Sequence, residues 1–249
     1  MVKNKSFIIG LVLILTLSAF SGCIQTEEQG DHENKIIGSG IITTINKIFK
    51  DFTMIHLDSV FDATIIRTDN YSVVFRIDDN IEKYLIVEKI DDTLKISLQP
   101  DKTYDKITKE VTIGLPDMEA LTLDGVTKAD LSGFDFSHEM DFNIDGVSVL
   151  TGTLGTGHIN IIIGSSSTIT LSGNGATAEI FANGNSIVDL GDFKTTNTSV
   201  NIDGVCTVTL NVNGTLNGSV KGVSTLYYYG NPILENITSD ELSTIEKIE

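Results

Sequence analysis

Ile144-Asp145-Gly146-Val147-Ser148 recurs, with small changes, as Leu123-Asp124-Gly125-Val126, Ile162-Ile163-Gly164-Ser165-Ser166, Ala182-Asn183-Gly184-Asn185-Ser186, Ile202-Asp203-Gly204-Val205 and Val220-Lys221-Gly222-Val223-Ser224. The glycines Gly125, Gly146, Gly164, Gly184, Gly204 and Gly222 lie 21, 18, 20, 20 and 18 residues apart, and a looser second set follows at 133, 152, 173, 191, 214 and 230. A unit of about 20 residues holding two or three short strands cannot bury an apolar face alone and must stack on its neighbours. Glycine at one phase supplies a sharp corner, with positive φ and close backbone approach, in every coil. The spacing predicts an all-β fold in which residues 117–232 form a β-solenoid of about six coils, each adding about 4.8 Å. Branched runs such as Ile159-Asn160-Ile161-Ile162-Ile163 and Val200-Asn201-Ile202 would fill it with stacked inward ladders. The alternative is an antiparallel sandwich, which also alternates short strands with turns but needs no glycine at a fixed phase.

Upstream, residues 35–116 alternate with period two, as half-buried strands do. Candidate strands are Ile41–Ile45, Phe52–Val60, Ala63–Arg67, Tyr71–Ile77, Tyr84–Glu88, Leu94–Leu98 and Val111–Leu115, with turns at Thr68-Asp69-Asn70, Asp78-Asp79-Asn80, Asp91-Asp92 and Pro100-Asp101. This β-rich head is expected to run on into the solenoid. Downstream, residues 233–249 form a tail. Its segment Ser239 to Glu249 reads as a short capping helix with Leu242, Ile245 and Ile248 on one stripe. Tyr227, Tyr228 and Tyr229 either close the same end or offer an aromatic platform for sugar.

The N-terminus is built differently. Lys3 and Lys5 precede a mostly apolar run from Phe7 to Phe20, shorter than the roughly 20 residues a membrane-spanning helix needs. Ser21-Gly22-Cys23 after that run is similar to the lipobox of exported lipoproteins, with Phe20 where Leu is usual. Residues 1–22 are therefore expected to be a signal peptide and Cys23 the lipidation site, with an uncleaved signal anchor and ordinary cleaved secretion as alternatives. Pairing of Cys23 with Cys206, the only other cysteine, is disfavoured because Cys206 sits in the alternating apolar stretch Val205-Cys206-Thr207-Val208. Residues 23–34 carry four acids and no base, the mark of a solvated tether.

The chain holds 34 acidic and 17 basic side chains among 249 residues, a net charge of −17. Such a balance opposes nucleic acid as a partner. Residues 117–230 contain twelve acids against only Lys128, Lys194 and Lys221, so a lyase acting on acidic sugars would lack its cationic group. An inverting glycosidase would need two carboxylates facing each other across a groove. His32, His56, His138 and His158 have no metal-ligand spacing, and no nucleophile elbow, phosphate loop or dinucleotide fingerprint occurs. No cofactor is implied. The one metal candidate is a calcium-bridged ladder, because Asp124 and Asp145 hold the same phase in consecutive coils and would lie about 5 Å apart; solvated aspartates in Asp-Gly turns are the plain alternative. Glycosylation sequons stand at Asn70, Asn197, Asn213, Asn217 and Asn236.

Over about residues 38–232 the chain resembles the bacterial and archaeal family known as putative auto-transporter adhesin, head GIN domain. The resemblance rests on Gly38-Ser39-Gly40, the Phe52 to Ile65 strand pair, Asp91-Asp92-Thr93-Leu94-Lys95-Ile96, the Gly-Val-Ser units and the closing Val220-Lys221-Gly222-Val223-Ser224-Thr225-Leu226-Tyr227-Tyr228-Tyr229-Gly230-Asn231-Pro232. It implies a right-handed parallel β-helix on an exported, often lipidated protein, and no reaction. Where family members have Gly-Ala-Ser, this chain has Gly-Val-Ser, read as a conservative change at an inward position. The expectation is a non-catalytic, adhesin-like or structural module on the outer face of the cell membrane, with a surface glycan or envelope protein as partner. An envelope glycosidase and an accessory or sensor lipoprotein are the alternatives.

Overall fold

The computed structural model describes residues 34–249. The expected signal peptide, Cys23 and nearly all of the tether lie outside the described residues.

Alternating branched and polar residues make almost every element a strand. The N-terminal part contains β1 (Lys35–Ile37), β2 (Ile42–Lys47), β3 (Met54–Leu57), β4 (Asp62–Arg67), β5 (Ser72–Asp78), β6 (Leu85–Ile90), β7 (Thr93–Leu98), β8 (Thr103–Asp105) and β9 (Lys109–Leu115). The repeat contains β10 (Ala120–Leu123), β11 (Lys128–Asp135), β12 (Glu139–Ile144), β13 (Val149–Ile163), β14 (Thr168–Ala182), β15 (Ile187–Ile202), β16 (Thr207–Val220) and β17 (Thr225–Tyr229). The tail forms β18 (Ile233–Ser239) and β19 (Thr244–Lys247).

These strands stack into two parallel columns. The first runs β7, β3, β10, β12, the C-terminal halves of β13 to β16, and β18. The second runs β9, β4, β11, the N-terminal halves of β13 to β16, β17 and β19. At the N-terminal end antiparallel strands close both columns, β6 on β7 and β5 followed by β2 on β9. From residue 120 onward the solenoid makes about seven turns. The seventh is the tail: Ser239 to Glu249 is not a helix, because the alternation in β18 and β19 lets both strands hydrogen-bond onto β16 and β17.

The coils do not follow chain order throughout. The layer made by β3 and β4 lies between that of β7 and β9 and that of β10 and β11. The head and the repeat therefore share one core. One inward ladder reads Ile96, Leu57, Leu123, Ile144, Ile163, Ala182, Ile202, Val220, and the facing one reads Val111, Ala63, Ala129, Leu150, Ile169, Val188, Val208, Leu226; all are buried. Full burial of each larger aliphatic side chain contributes about 1.5–3 kcal/mol.

The corner between the columns corrects two readings of the repeat. The positive-φ phase is Ser59, Gly125, Gly146, Ser165, Gly184, Gly204 and Gly222, so Ser165 turns that coil while Gly164 occupies the preceding, Asp-bearing phase. At Gly146 the close approach is evident, since a Cβ there would stand 2.3 Å from the carbonyl oxygen of Gly125. The following residue points outward: Val126, Val147, Val205 and Val223 are 48–60% exposed, because the left-handed corner swings them to solvent. The inward position is one further on, at Thr127, Ser148, Ser167, Ser186, Cys206 and Ser224, each at most 2% exposed.

That buried hydroxyl row satisfies corner carbonyls. Thr127 donates to Asp124 O at 3.0 Å, Ser186 to Asn183 O at 2.5 Å and Ser224 to Gly204 O at 3.2 Å. Cys206 takes the serine's place as a buried free thiol, with Sγ 3.7 Å from Asp203 O. A short apolar-sized donor suffices there, which explains the lone cysteine in the repeat.

Candidate functional site

The outer face of the second column carries a rank of short polar side chains in strict register: Thr112, Thr64, Asp130, Thr151, Thr170, Asp189 and Thr209. Six interstrand steps at about 4.8 Å give this rank a length of about 29 Å. Beside it the parallel register is interrupted between Thr170 and Gly173 and between Asp189 and Lys194. Three open clefts of about 370, 330 and 630 Å³ follow the rank. The first two share Asp130 and Thr151, and the second and third share Asp189 and Asp192, so they form one groove along the rod.

The groove's side chains are held by one another and by the backbone. Thr151 Oγ1 donates to Asp130 Oδ1 at 2.9 Å, and the hydroxyls of Thr153 and Ser172 lie 2.7 Å apart. Asp189 accepts from the Gly191 amide at 3.0 Å, and Asn211 Nδ2 donates to Gly191 O at 3.0 Å. The Tyr229 ring closes one end against Gly191, where a Cβ would stand 3.1 Å from its Cε2. Gly191 therefore lets the Tyr229 ring approach the backbone closely. Chemically the groove offers hydroxyl and carboxylate acceptors, an amide and one aromatic edge, with Lys128 near the opposite end. No group of three or more His, Cys, Asp or Glu among the described residues is arranged to hold a metal ion.

Of the tyrosines singled out from sequence, Tyr229 lines the groove, Tyr228 packs against the core and Tyr227 continues the outer rank after Thr209. Asp124 and Asp145 do occupy adjacent coils, and each carboxylate has a partner of its own. Asp124 Oδ2 lies 2.9 Å from His56 Nε2, and Asp145 accepts from the Gly146 amide at 2.8 Å. Hydrogen bonds from the Ser165 hydroxyl and the Gly146 amide hold the Asp145 carboxyl below its usual value of 3.8. Asn70, Asn197, Asn213 and Asn236 are exposed and Asn217 is half-buried. Asn197 is engaged through Oδ1 by the Thr215 amide at 3.0 Å.

Sequence reasoning missed both the groove's acids and the histidine pairs. His138 Nε2 lies 2.8 Å from Asp117 Oδ1 and its Nδ1 lies 2.8 Å from Glu139 O, while His158 Nε2 lies 3.8 Å from Glu139 Oε1. The available signal was the coil period itself, since Asp117 and His138 are 21 residues apart and Glu139 and His158 are 19 apart.

The fold and groove define a parallel β-solenoid whose outer face carries an elongated polar groove. The chain belongs to the family described as "Putative auto-transporter adhesin, head GIN domain", whose profile matches residues 51–232. Solved structures with the same fold include a putative adhesin from Bacteroides fragilis, 20% identical with a TM-score of 0.80, covering 86% of this chain and 100% of that one. Two from Parabacteroides distasonis, described as a putative adhesin and a putative lipid binding protein, are 19% and 18% identical, with TM-scores of 0.66 and 0.69, each covering 86% of this chain and 100% of the other. No curated protein matches the chain significantly.

Proposed function

We propose that the protein is a cell-surface binding module, held to the membrane by lipid on Cys23, that lays an extended glycan along the groove of the second column. The observation carrying this is the continuity of the three clefts through Asp130, Thr151, Asp189 and Asp192. Ranked hydroxyls and carboxylates at a fixed repeat suit the hydroxyl groups of a polymer with its own repeat, and Tyr229 suits the apolar face of a terminal sugar. A linear ligand fits better than a single sugar because no part of the groove is enclosed.

Binding to a panel of linear polysaccharides, followed by titration calorimetry, tests the reading. Asp189→Asn with Thr209→Ala, or Tyr229→Ala, is expected to weaken the selected glycan by on the order of tenfold, the loss of one or two buried hydrogen bonds or a stacking contact. Uniform failure to bind any polysaccharide would sink it. A second reading, glycoside hydrolysis, is favoured by Asp189 and Asp192 lining the same cleft. Release of new reducing ends from the bound glycan, lost in Asp192→Asn, would convert the binding module into an enzyme.

A further inference from the structure

Residues 35–50 stand apart from this acidic chain: they hold Lys35, Lys47 and Lys50, six isoleucines and Phe49, and no acid. The segment lies at the N-terminal end of the rod, where β2 is the outermost strand of the second column and pairs, among the described residues, with β5 alone. Ile37, Ile41 and Ile42 are 40–65% exposed and Ile48 is 89% exposed. On β6, the outermost strand of the first column, Ile86 and Ile90 are exposed as well. Six of the large exposed apolar side chains thus gather at one end.

This end is firmly built. The buried carboxylate of Asp78 accepts the amides of Gly40 and Thr108, each at 2.6 Å, and Asp79 accepts from the Ser39 hydroxyl at 2.6 Å. Lys35 is paired with Asp105 at 3.1 Å. Lys47 and Lys50 have no carboxylate within salt-bridge distance among the described residues, and Asp51 is the nearest acid in sequence. The C-terminal segment differs in sign from residues 35–50, since residues 231–249 carry five acids and Lys247.

We infer that the N-terminal end of the rod docks on an anionic lipid surface, with Ile37, Ile41, Ile42 and Ile48 entering the headgroup region and Lys47 and Lys50 facing lipid phosphates. Exposed aliphatics interleaved with lysine are the composition that partitions into that interface. Eleven residues lie between Cys23 and Lys35, twelve Cα steps in all, a reach of at most about 43 Å when fully extended. The inference rests on the lipid-anchor reading for its geometry: an anchor at Cys23 brings this end, and not the acidic one, within range of the bilayer. Docking would fix the rod upright and hold the groove away from the membrane.

The test uses the full chain purified from membranes and reconstituted into phosphatidylcholine vesicles with or without phosphatidylglycerol. An environment-sensitive dye is placed at Ile48→Cys or, as the distal control, Leu242→Cys; Cys206 is buried and does not compete. The expected result is a lipid-like signal at position 48 only, dependent on phosphatidylglycerol and reduced on the order of tenfold by Lys47→Glu with Lys50→Glu. Water-like signals at both positions, with the protein still held by modified Cys23, overturn the docking and leave the anchor intact. Mass spectrometry showing bare Cys23 removes the anchor reading; with Cys23→Ser added so that the dye reports position 48 alone, phosphatidylglycerol-dependent signals there would then still support docking. Glycan binding in the Lys47→Glu, Lys50→Glu variant is expected to be unchanged, which separates this surface from the groove.

Discussion

The amide of Cys206 donates a hydrogen bond to the hydroxyl of Ser224, 3.1 Å away in the next coil, and the Ser224 hydroxyl in turn reaches back to Gly204 O at 3.2 Å. The buried corner row is thus a chain of polar contacts between layers, and its members are not equivalent. Ser148 Oγ is buried without a partner, whereas Ser186 Oγ satisfies Asn183 O. Ser148→Ala is expected to leave the thermal midpoint unchanged or raised. Ser186→Ala is expected to cost about 1–3 kcal/mol, the penalty of an orphaned buried acceptor. Cys206→Ser should be tolerated within about 1 kcal/mol, since it restores the row's usual donor. Chemical denaturation of the three variants checks the order.

The corner phase makes a second contrast. Gly146→Ala would force a Cβ to 2.3 Å from Gly125 O at a φ of 77°, while Ser165 already carries a Cβ at the same phase with φ 54°. Gly146→Ala is expected to destabilise by about 1–3 kcal/mol, and Ser165→Ala by less, losing chiefly the hydroxyl contact to Asp145. Equal losses in urea unfolding would show that the corner does not discriminate.

Stability should also depend on pH from both sides. The carbonyl of Glu139, assisted by Asp117, raises the pKa of His138 above 6.5 against the opposing effect of burial. Its contribution is complete below that value and is lost as the pH rises through the folded pKa. Asp145 is lowered below 3.8, so its contribution is present above that value and is lost as the pH falls through the folded pKa. The thermal midpoint should therefore plateau between about pH 4 and 6.5. His138→Gln is expected to flatten the alkaline decline only; an unchanged decline would assign it elsewhere.

Coil length and inward ladders were legible because both are periodic in sequence, and Leu123, Ile144, Ile163 and Ile202 fall where the alternation puts them. Gly164 misled because its coil reaches the corner one residue later, and only the pairing of Ser166 N with Gly146 O reveals the phase. The exposed valines misled because a positive-φ residue resets which face the next side chain takes. Asp130 and Asp189 hold one phase three coils apart, and Asp192 was not recognised beside Asp189 because the register is interrupted between Asp189 and Lys194. A count along the chain cannot anticipate a bulge.

The insertion of β3 and β4 between two later layers has a kinetic side. Within the repeat, each coil meets its neighbour across about 20 residues, so winding can proceed like a zipper from any formed turn. Met54 to Leu57 instead contacts residues 93–96 on one side and 120–123 on the other. During vectorial synthesis that layer must wait, half-covered, until both flanks have emerged, and closure over such separations is the slow step. The N-terminal layers, not the repeat, are then expected to set how fast the rod is made and where it is most exposed to aggregation while unfinished.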